Sequence, residues 1–424
     1  MLSHTDFIVF YYALMMKNII EIFIKFFSLG CVSFGGPAAH IGYFQQAFVE
    51  KHKWLNATEY GRIVALSQFL PGPGSSQVGF AIGYHRAGLV GAIAAFVAFT
   101  LPSVILMLTL AFVGFQYADA ITFQGVIYGL KLLAVVVVLD AILSMAKSFC
   151  QSWVNRGITL ISAIALVSFS SSLIQVLVIA LAALAGFILT KRMQGSNQLT
   201  KDADNHVSQE LKVGESGLLA NIRWLPLIIF AVLIIGSSFL AKGQNLMHWF
   251  HEFFFTGSLV FGGGHVVLPL LQETVADNLS SEAFLTGYAA AQAVPGPMFT
   301  MATFLGTQLD VSAPVITALI ATVAIFLPGF LLLLAFQYAW YELSSKPSVS
   351  GAMSGINASV VGLLVAAFGT PIASSALHEW WDFAAVALGF ALVRYVKVQI
   401  GIVVLCFAAL GVLLFQLGYS TLVQ

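Results

Sequence analysis

Gln68-Phe69-Leu70-Pro71-Gly72-Pro73-Gly74-Ser75-Ser76-Gln77 is the stretch on which the reading of this chain turns. A Pro-Gly-Pro-Gly run cannot lie inside an unbroken helix. Proline removes a backbone donor and its ring collides with the preceding turn, and glycine lowers the cost of the bend. Apolar sequence nonetheless flanks it, at 63–70 before and 78–82 after. A break between two apolar half-helices, with Ser75, Ser76 and Gln77 just past it, is unusual at membrane depth. It recurs at Gln292-Ala293-Val294-Pro295-Gly296-Pro297-Met298. A broken helix occurring twice in one hydrophobic chain points to the binding site of a transporter.

Composition sets the class. Of 424 residues, 59% are hydrophobic and 8% charged, and the mean hydropathy is +0.93. Soluble proteins carry about 25% charged residues, so the chain reads as an all-α polytopic membrane protein whose partner is the lipid bilayer. The formal net charge is zero, which gives no global field for nucleic acid. Cys31, Cys150 and Cys406 are far apart and form no metal or redox spacing. Cys31 and Cys406 lie in apolar segments and read as reduced packing residues. The N-terminus lacks a basic region and a small-residue cleavage site, so no removable signal peptide is expected.

Working outward, residues 1–16 form an apolar lead-in. A helix-like stretch at 17–34 is stopped by Gly35-Gly36-Pro37, and 38–49 reads as a return helix. A loop with Lys51, His52 and Lys53 leads to the Pro-Gly-Pro element. Apolar segments follow at 87–115, 122–145, 158–169 and 173–189. Residues 193–221 are polar and read as a solvated linker, and 222–247 carry an additional apolar span at 225–240. The order of the first half then returns. Phe34-Gly35-Gly36 matches Phe261-Gly262-Gly263, and Gln68-x-x-Pro71-Gly72-Pro73 matches Gln292-x-x-Pro295-Gly296-Pro297. Leu101-Pro102 matches Leu327-Pro328, and Phe115-Gln116-Tyr117-Ala118 matches Phe336-Gln337-Tyr338-Ala339. Gly125-x-x-x-Gly129-x-Lys131 matches Gly351-x-x-x-Gly355-x-Asn357. The expected organisation is two homologous halves, 17–192 and 248–424.

Charge sets their relative orientation. First-half loops carry Lys51, Lys53, Arg62, Arg86, Lys147, Arg156, Lys191 and Arg192. The corresponding second-half loops, 273–282 and 371–382, carry no Lys or Arg, whereas Lys346, Arg394 and Lys397 occupy loops whose first-half partners lack them. The bias has changed sides, which predicts an inverted-topology repeat built on broken, re-entrant Gly-Pro hairpins. The span at 225–240 supplies the odd crossing. The N-terminus is then expected in the cytoplasm and the C-terminus outside.

The candidate binding residues follow from these breaks. Past the first one, the amides of Gly74, Ser75 and Ser76 sit at a helix start, where partial positive charge favours an anion. The alternative is a plain loop between spanning helices. Thr300 is the hydroxyl of the second copy, which has fewer of them. His40 and His265 lie near the Gly-Gly breaks. Each is either a donor to a backbone carbonyl or a proton-responsive anion ligand. Lys131 lies deep in 122–145, too deep to snorkel easily, and is the first candidate for a charge balancing an anion. Asn357 is its uncharged repeat mate. Arg86 is a second candidate, set against an ordinary loop charge. Gly125, Gly129, Gly351 and Gly355 are expected to serve close helix packing. His251-Glu252 and His378-Glu379 lack the second histidine of a zinc protease motif, and there is neither Gly-x-Ser-x-Gly nor a Walker A loop. No enzymatic activity, cofactor or metal is expected.

Phe34-Gly-Gly-Pro-x-x-His40-Ile, Trp54-Leu, Gln68-Phe-Leu-Pro-Gly-Pro, Ser76-Gln-Val-Gly, Arg86-Ala-Gly and Phe99-x-Leu-Pro together resemble the chromate ion transporter family. So do Phe261-Gly-Gly-Gly-His265-Val-Val-Leu-Pro, Ala290-Ala-Gln-Ala-Val-Pro-Gly-Pro and Gly355-x-Asn357-Ala. The resemblance covers both halves, as in two-domain members. It implies an inner-membrane protein that exports chromate and confers chromate resistance, with halves of opposite orientation. A tetrahedral dianion such as sulfate is the related substrate. The site expected where the hairpins converge comprises Gly35, Gly36, His40, Gln68, Gly72, Gly74, Ser75, Ser76, Gln77, Arg86, Lys131, Gly263, Gly264, His265, Gln292, Gly296, Thr300 and Asn357. The expected function is secondary active transport of a tetrahedral oxyanion, foremost chromate efflux, with proton-coupled antiport as one mode; oxyanion uptake and a passive anion channel are the alternatives, and a homodimer is an open alternative to a monomer.

Overall fold

The computed structural model describes residues 4–34, 36–117, 120–169, 172–197, 221–241, 243, 245–261, 267–275, 277–310, 312–340, 346–374 and 376–417. Among them there is no strand, as the composition predicts. Gly35, Gly263, Gly264 and His265 lie outside the described residues.

Helix α1 (His4–Val32) runs through the expected lead-in without interruption, because nothing in it before Gly30 breaks a helix. It stops before Gly36, whose φ of +74° favours glycine. Helix α2 (Gly36–Phe44) continues into a π turn, Gln45–Lys51, and α3 (Ala57–Phe69) starts at an Asn56/Glu59 capping box. Helix α4 (Gly74–Tyr117) is bent at Ala87 and Gly88, which divide it into segments 74–86 and 89–117. The pieces α2, α3 and 74–86 are each shorter than the roughly 20 residues that cross a bilayer. They return to one face. Arg86 pairs with Glu21 at 3.2 Å and lies 5.2 Å over the Trp54 ring, so the ends of both hairpins and the polar part of α1 meet. Phe26, Phe44 and Phe48 of the first hairpin pack together and against Phe99 on segment 89–117.

The crossing helices are repeat mates. Segment 89–117 of α4 and α5 (Ile121–Phe149) correspond to α13 (Pro314–Phe336) and α14 (Pro347–Ala367), and these four helices are long and apolar enough to span. The first half ends with α6 (Trp153–Ser168) and α7 (Ser172–Asn197). Helix α8 (Trp224–Leu240), apolar and 17 residues long, lies between the two halves in the chain. The second half comprises α9 (Leu246–Leu259), α10 (Val267–Val275), α11 (Ser281–Ala293), a 3-10 turn at Met298–Thr300, α12 (Met301–Leu309), α13, α14, α15 (Trp380–Ala391) and α16 (Ile400–Gln416).

The inversion can be read from Arg223, just before α8. Its guanidinium donates to the hydroxyls of Tyr84 and Tyr338, and its amide donates to the Ala335 carbonyl. Tyr84 stands where segment 89–117 begins, and Tyr338 stands where α13 ends. The two mates therefore run in opposite directions. Arg394 likewise reaches Asp140, near the end of α5, at 2.7 Å. One face thus gathers Lys51, Lys53, Arg86, Lys147, Arg223, Lys346, Arg394 and Lys397, and the turns holding Asp277, Asp310 and Glu379 lie on the other.

The halves interlock. Helix α5 packs on α16 and α7 packs on α14, a mate pair of contacts. A Cβ on Gly129 would lie 1.9 Å from the Phe407 carbonyl oxygen, and one on Gly355 would lie 2.0 Å from that of Ala182. The Gly-x-x-x-Gly spacing brings backbones together without an intervening side chain, as such spacing does between membrane helices.

Candidate functional site

Both Pro-Gly-Pro breaks are buried in protein, as freed backbone groups at this depth require. Each is held by the opposite half. The Gly72 amide donates to the Val260 carbonyl at 2.7 Å, and the Gly296 amide donates to the Ser33 carbonyl at 2.9 Å. Val260 and Ser33 both precede a Phe-Gly-Gly break, so the two bonds are repeat mates. The residues next to Leu-Pro complete each cradle. Gln77 Nε2 donates to Pro71 O and to Gly329 O, both at 3.0 Å, and Ser103 Oγ donates to Pro295 O at 2.6 Å. Ser103 and Gly329 follow Pro102 and Pro328. Each break is therefore clamped between the hairpin and the proline-containing span of the other repeat.

Both central glycines have positive φ, +120° at Gly72 and +102° at Gly296. A Cβ on Gly72 would lie 2.8 Å from Gly329 Cα, and one on Gly296 would lie 2.0 Å from Ser103 Oγ. At Gly36 the nearest obstacle is Met298 Sδ at 3.6 Å. Gly72→Ala and Gly296→Ala are thus expected to reduce folded protein more than Gly36→Ala, which incurs only the left-handed backbone penalty of about 1–2 kcal/mol. Thermal unfolding of the three purified variants measures this.

His40 is fully buried. Its Nε2 donates to Ser33 O at 3.1 Å, and its Nδ1 lies 3.2 Å from Ser75 Oγ. Because the Ser33 carbonyl can only accept, neutral His40 carries its proton on Nε2, and Nδ1 accepts from the Ser75 hydroxyl. This is the backbone-carbonyl contact offered by the sequence, with an addition: the same carbonyl holds Gly296. One imidazole thus ties the first Gly-Gly break, the first Pro-Gly-Pro helix start and the second break together.

Past the first break, Gln77 N donates to Pro73 O, which makes Gly74, Ser75 and Ser76 the first turn of the helix. Their amides have no acceptor within the helix, and Pro73 has no polar side chain to cap them. Ser76 Oγ is buried without a hydrogen-bond partner, and so is Gln77 Oε1. In the second copy, Pro297 likewise provides no side-chain cap, and Thr300 Oγ1 is used on Pro297 O at 2.7 Å. The two starts differ, and the first retains the unused hydroxyl.

The remaining expected residues separate. Gln292 is buried, with Nε2 3.7 Å from Met298 Sδ, whereas its mate Gln68 is exposed at the end of α3. Arg86 belongs to the surface. It is ion-paired with Glu21 and lies about 18 Å of helix from Gly74, so the ordinary loop-charge reading describes it. Lys131 is buried in α5, about 15 Å along the axis from its start and hence near the bilayer mid-depth. Asn357 occupies the matching turn of α14, and its buried Oδ1 has no partner. The sequence reading missed Ser33, Val260, Ser103 and Gly329. The repeated Leu-Pro match was the signal for the last two, and the backbone acceptors left no signal.

The profile of the chromate transporters matches residues 20–187 and 247–412, one copy on each half. An uncharacterised transporter of Methanocaldococcus jannaschii is 27% identical over 93% of this chain and 94% of its own. The probable chromate transport protein of Synechococcus elongatus is 27% identical over 86% of each chain. The chromate transport protein of Cupriavidus metallidurans is 25% identical over 82% of this chain and 81% of its own. No solved structure matches. The duplicated profile falls on the same two inverted units that clamp each other's Pro-Gly-Pro break, and this chain belongs to the chromate transporter family.

Proposed function

We propose that this membrane transporter moves a tetrahedral oxyanion, chromate foremost, out of the cell by secondary active transport. The observation that carries the proposal is the first helix start, where three uncapped amides and the unpartnered Ser76 hydroxyl converge in a buried cradle built by both halves. A helix N-terminus presents about half a positive charge, and a dianion leaving water needs more. Lys131 supplies the full charge at mid-depth. The relatives named for chromate transport support this substrate, and sulfate, of the same shape and charge, is the nearest competitor.

His40 offers a route for proton coupling. Protonation at Nδ1 turns that nitrogen from acceptor to donor, so the Ser75 hydroxyl is released from donating to it. The hydroxyl is then available to an anion at the adjoining amides. Rocking of the inverted halves about the reciprocal clamps gives alternating access. The basic face lies in the cytoplasm by the positive-inside rule, which places the N-terminus there and the end of α16 outside, in a cell inner membrane.

Radiolabelled chromate and sulfate flux into proteoliposomes, with and without an imposed pH gradient, tests the proposal. Accumulation of chromate beyond electrochemical equilibrium is expected under a proton gradient. Flux that only dissipates the anion gradient would make the protein a channel, and preference for sulfate would change the substrate. Ser76→Ala is expected to raise the half-saturating anion concentration about tenfold, the value of one hydrogen bond to a charged group.

A further inference from the structure

A recess of about 610 Å³ opens beside the first hairpin, between α1, α2 and the turn joining α15 to α16. Its lining includes Phe34, which precedes the Gly-Gly break of one half, and Ala293, two residues before the Pro-Gly-Pro break of the other. Its wall is mainly aliphatic, and Leu405 on that wall is 70% exposed. Lys397 stands on the turn in the left-handed conformation, φ +58°. Arg394, on the preceding turn of chain, is neutralised by Asp140, whereas Lys397 has no carboxylate partner among the described residues.

We infer that this recess binds an anionic phospholipid, with its phosphate on Lys397 and an acyl chain along the aliphatic wall toward Phe34 and Ala293. Two features select a lipid over the transported ion. A hydrated dianion gains nothing from a wall of valine, isoleucine and leucine, whereas an acyl chain does. An unpaired cation on the basic face, beside Tyr43 at the recess, matches a headgroup followed by a tail. The sequence between α6 and α7 in the first half, 169–171, has no lysine or arginine, so the site belongs to one half only. A lipid here braces the tips of both broken elements. This binding is independent of which anion is carried.

Native mass spectrometry of the full chain with phosphatidylglycerol and with phosphatidylcholine tests the inference. A phosphatidylglycerol adduct is expected that phosphatidylcholine does not replace. Lys397→Gln should weaken it about fivefold, the effect of one cation near a membrane surface. Gly401→Leu is the second variant. Gly401 lines the recess, has nothing within 4 Å of a Cβ, and lies in a helix where leucine is favoured, so the substitution fills the recess without disturbing the fold. It should remove the adduct, and it decides the matter if Lys397→Gln does not fold. An adduct that survives Gly401→Leu overturns the inference. So does displacement of the adduct by millimolar chromate or sulfate, which would make the recess a substrate vestibule.

Discussion

Gly129→Ala and Gly355→Ala will each remove most of the folded protein, and Gly157→Ala will not. At the first two positions the obstructing atom is a backbone carbonyl, 1.9 Å and 2.0 Å from the new methyl. A side chain could rotate away, but a carbonyl moves only if the helices separate. For Gly129 those helices are α5 and α16, and for Gly355 they are α14 and α7, so each substitution pries one half from the other. Overpacking a well-filled core costs about 1–3 kcal/mol even where side chains can yield, and here nothing can. Gly157 has no atom within 4 Å, and alanine there gains about 1 kcal/mol of helix propensity. Monodisperse yield by fluorescence-detected gel filtration is the measurement. Equal yields for all three variants would show that the halves do not meet at these glycines.

Lys131→Met will reduce oxyanion flux about 10–100-fold, the range set by loss of one charge-assisted contact, while folded yield stays near that of the parent. Methionine keeps the length and the apolar stem, so α5 retains its apolar packing. Lys131→Arg should restore part of the flux, because it restores the charge in a different shape. The separation of flux from yield distinguishes a charge that serves the ion from one that serves the fold. Parental flux in Lys131→Met would remove Lys131 from the transport route.

Much of this molecule is legible without coordinates. Composition fixes the membrane class, because no soluble core uses so few charges. The paired breaks are local chemistry: proline and glycine interrupt a helix wherever they stand. The inversion is legible because lysine and arginine report the side of the membrane loop by loop, and the Arg223 contacts agree with it. Only the tertiary structure decides which groups the breaks meet. Gln68 and Gln292 occupy the same place in the repeat, yet one is exposed and the other buried. Ser33 and Val260 act through backbone carbonyls, which every residue has. Arg86 is drawn to Glu21, far away in sequence. Helix breaks, hydropathy and charge bias are properties of short windows, so the sequence determines them alone. A hydrogen-bond partner for Gly72 or Gly296 lies in the other repeat, and folding selects it by packing two halves whose separation along the chain carries no record of their contact.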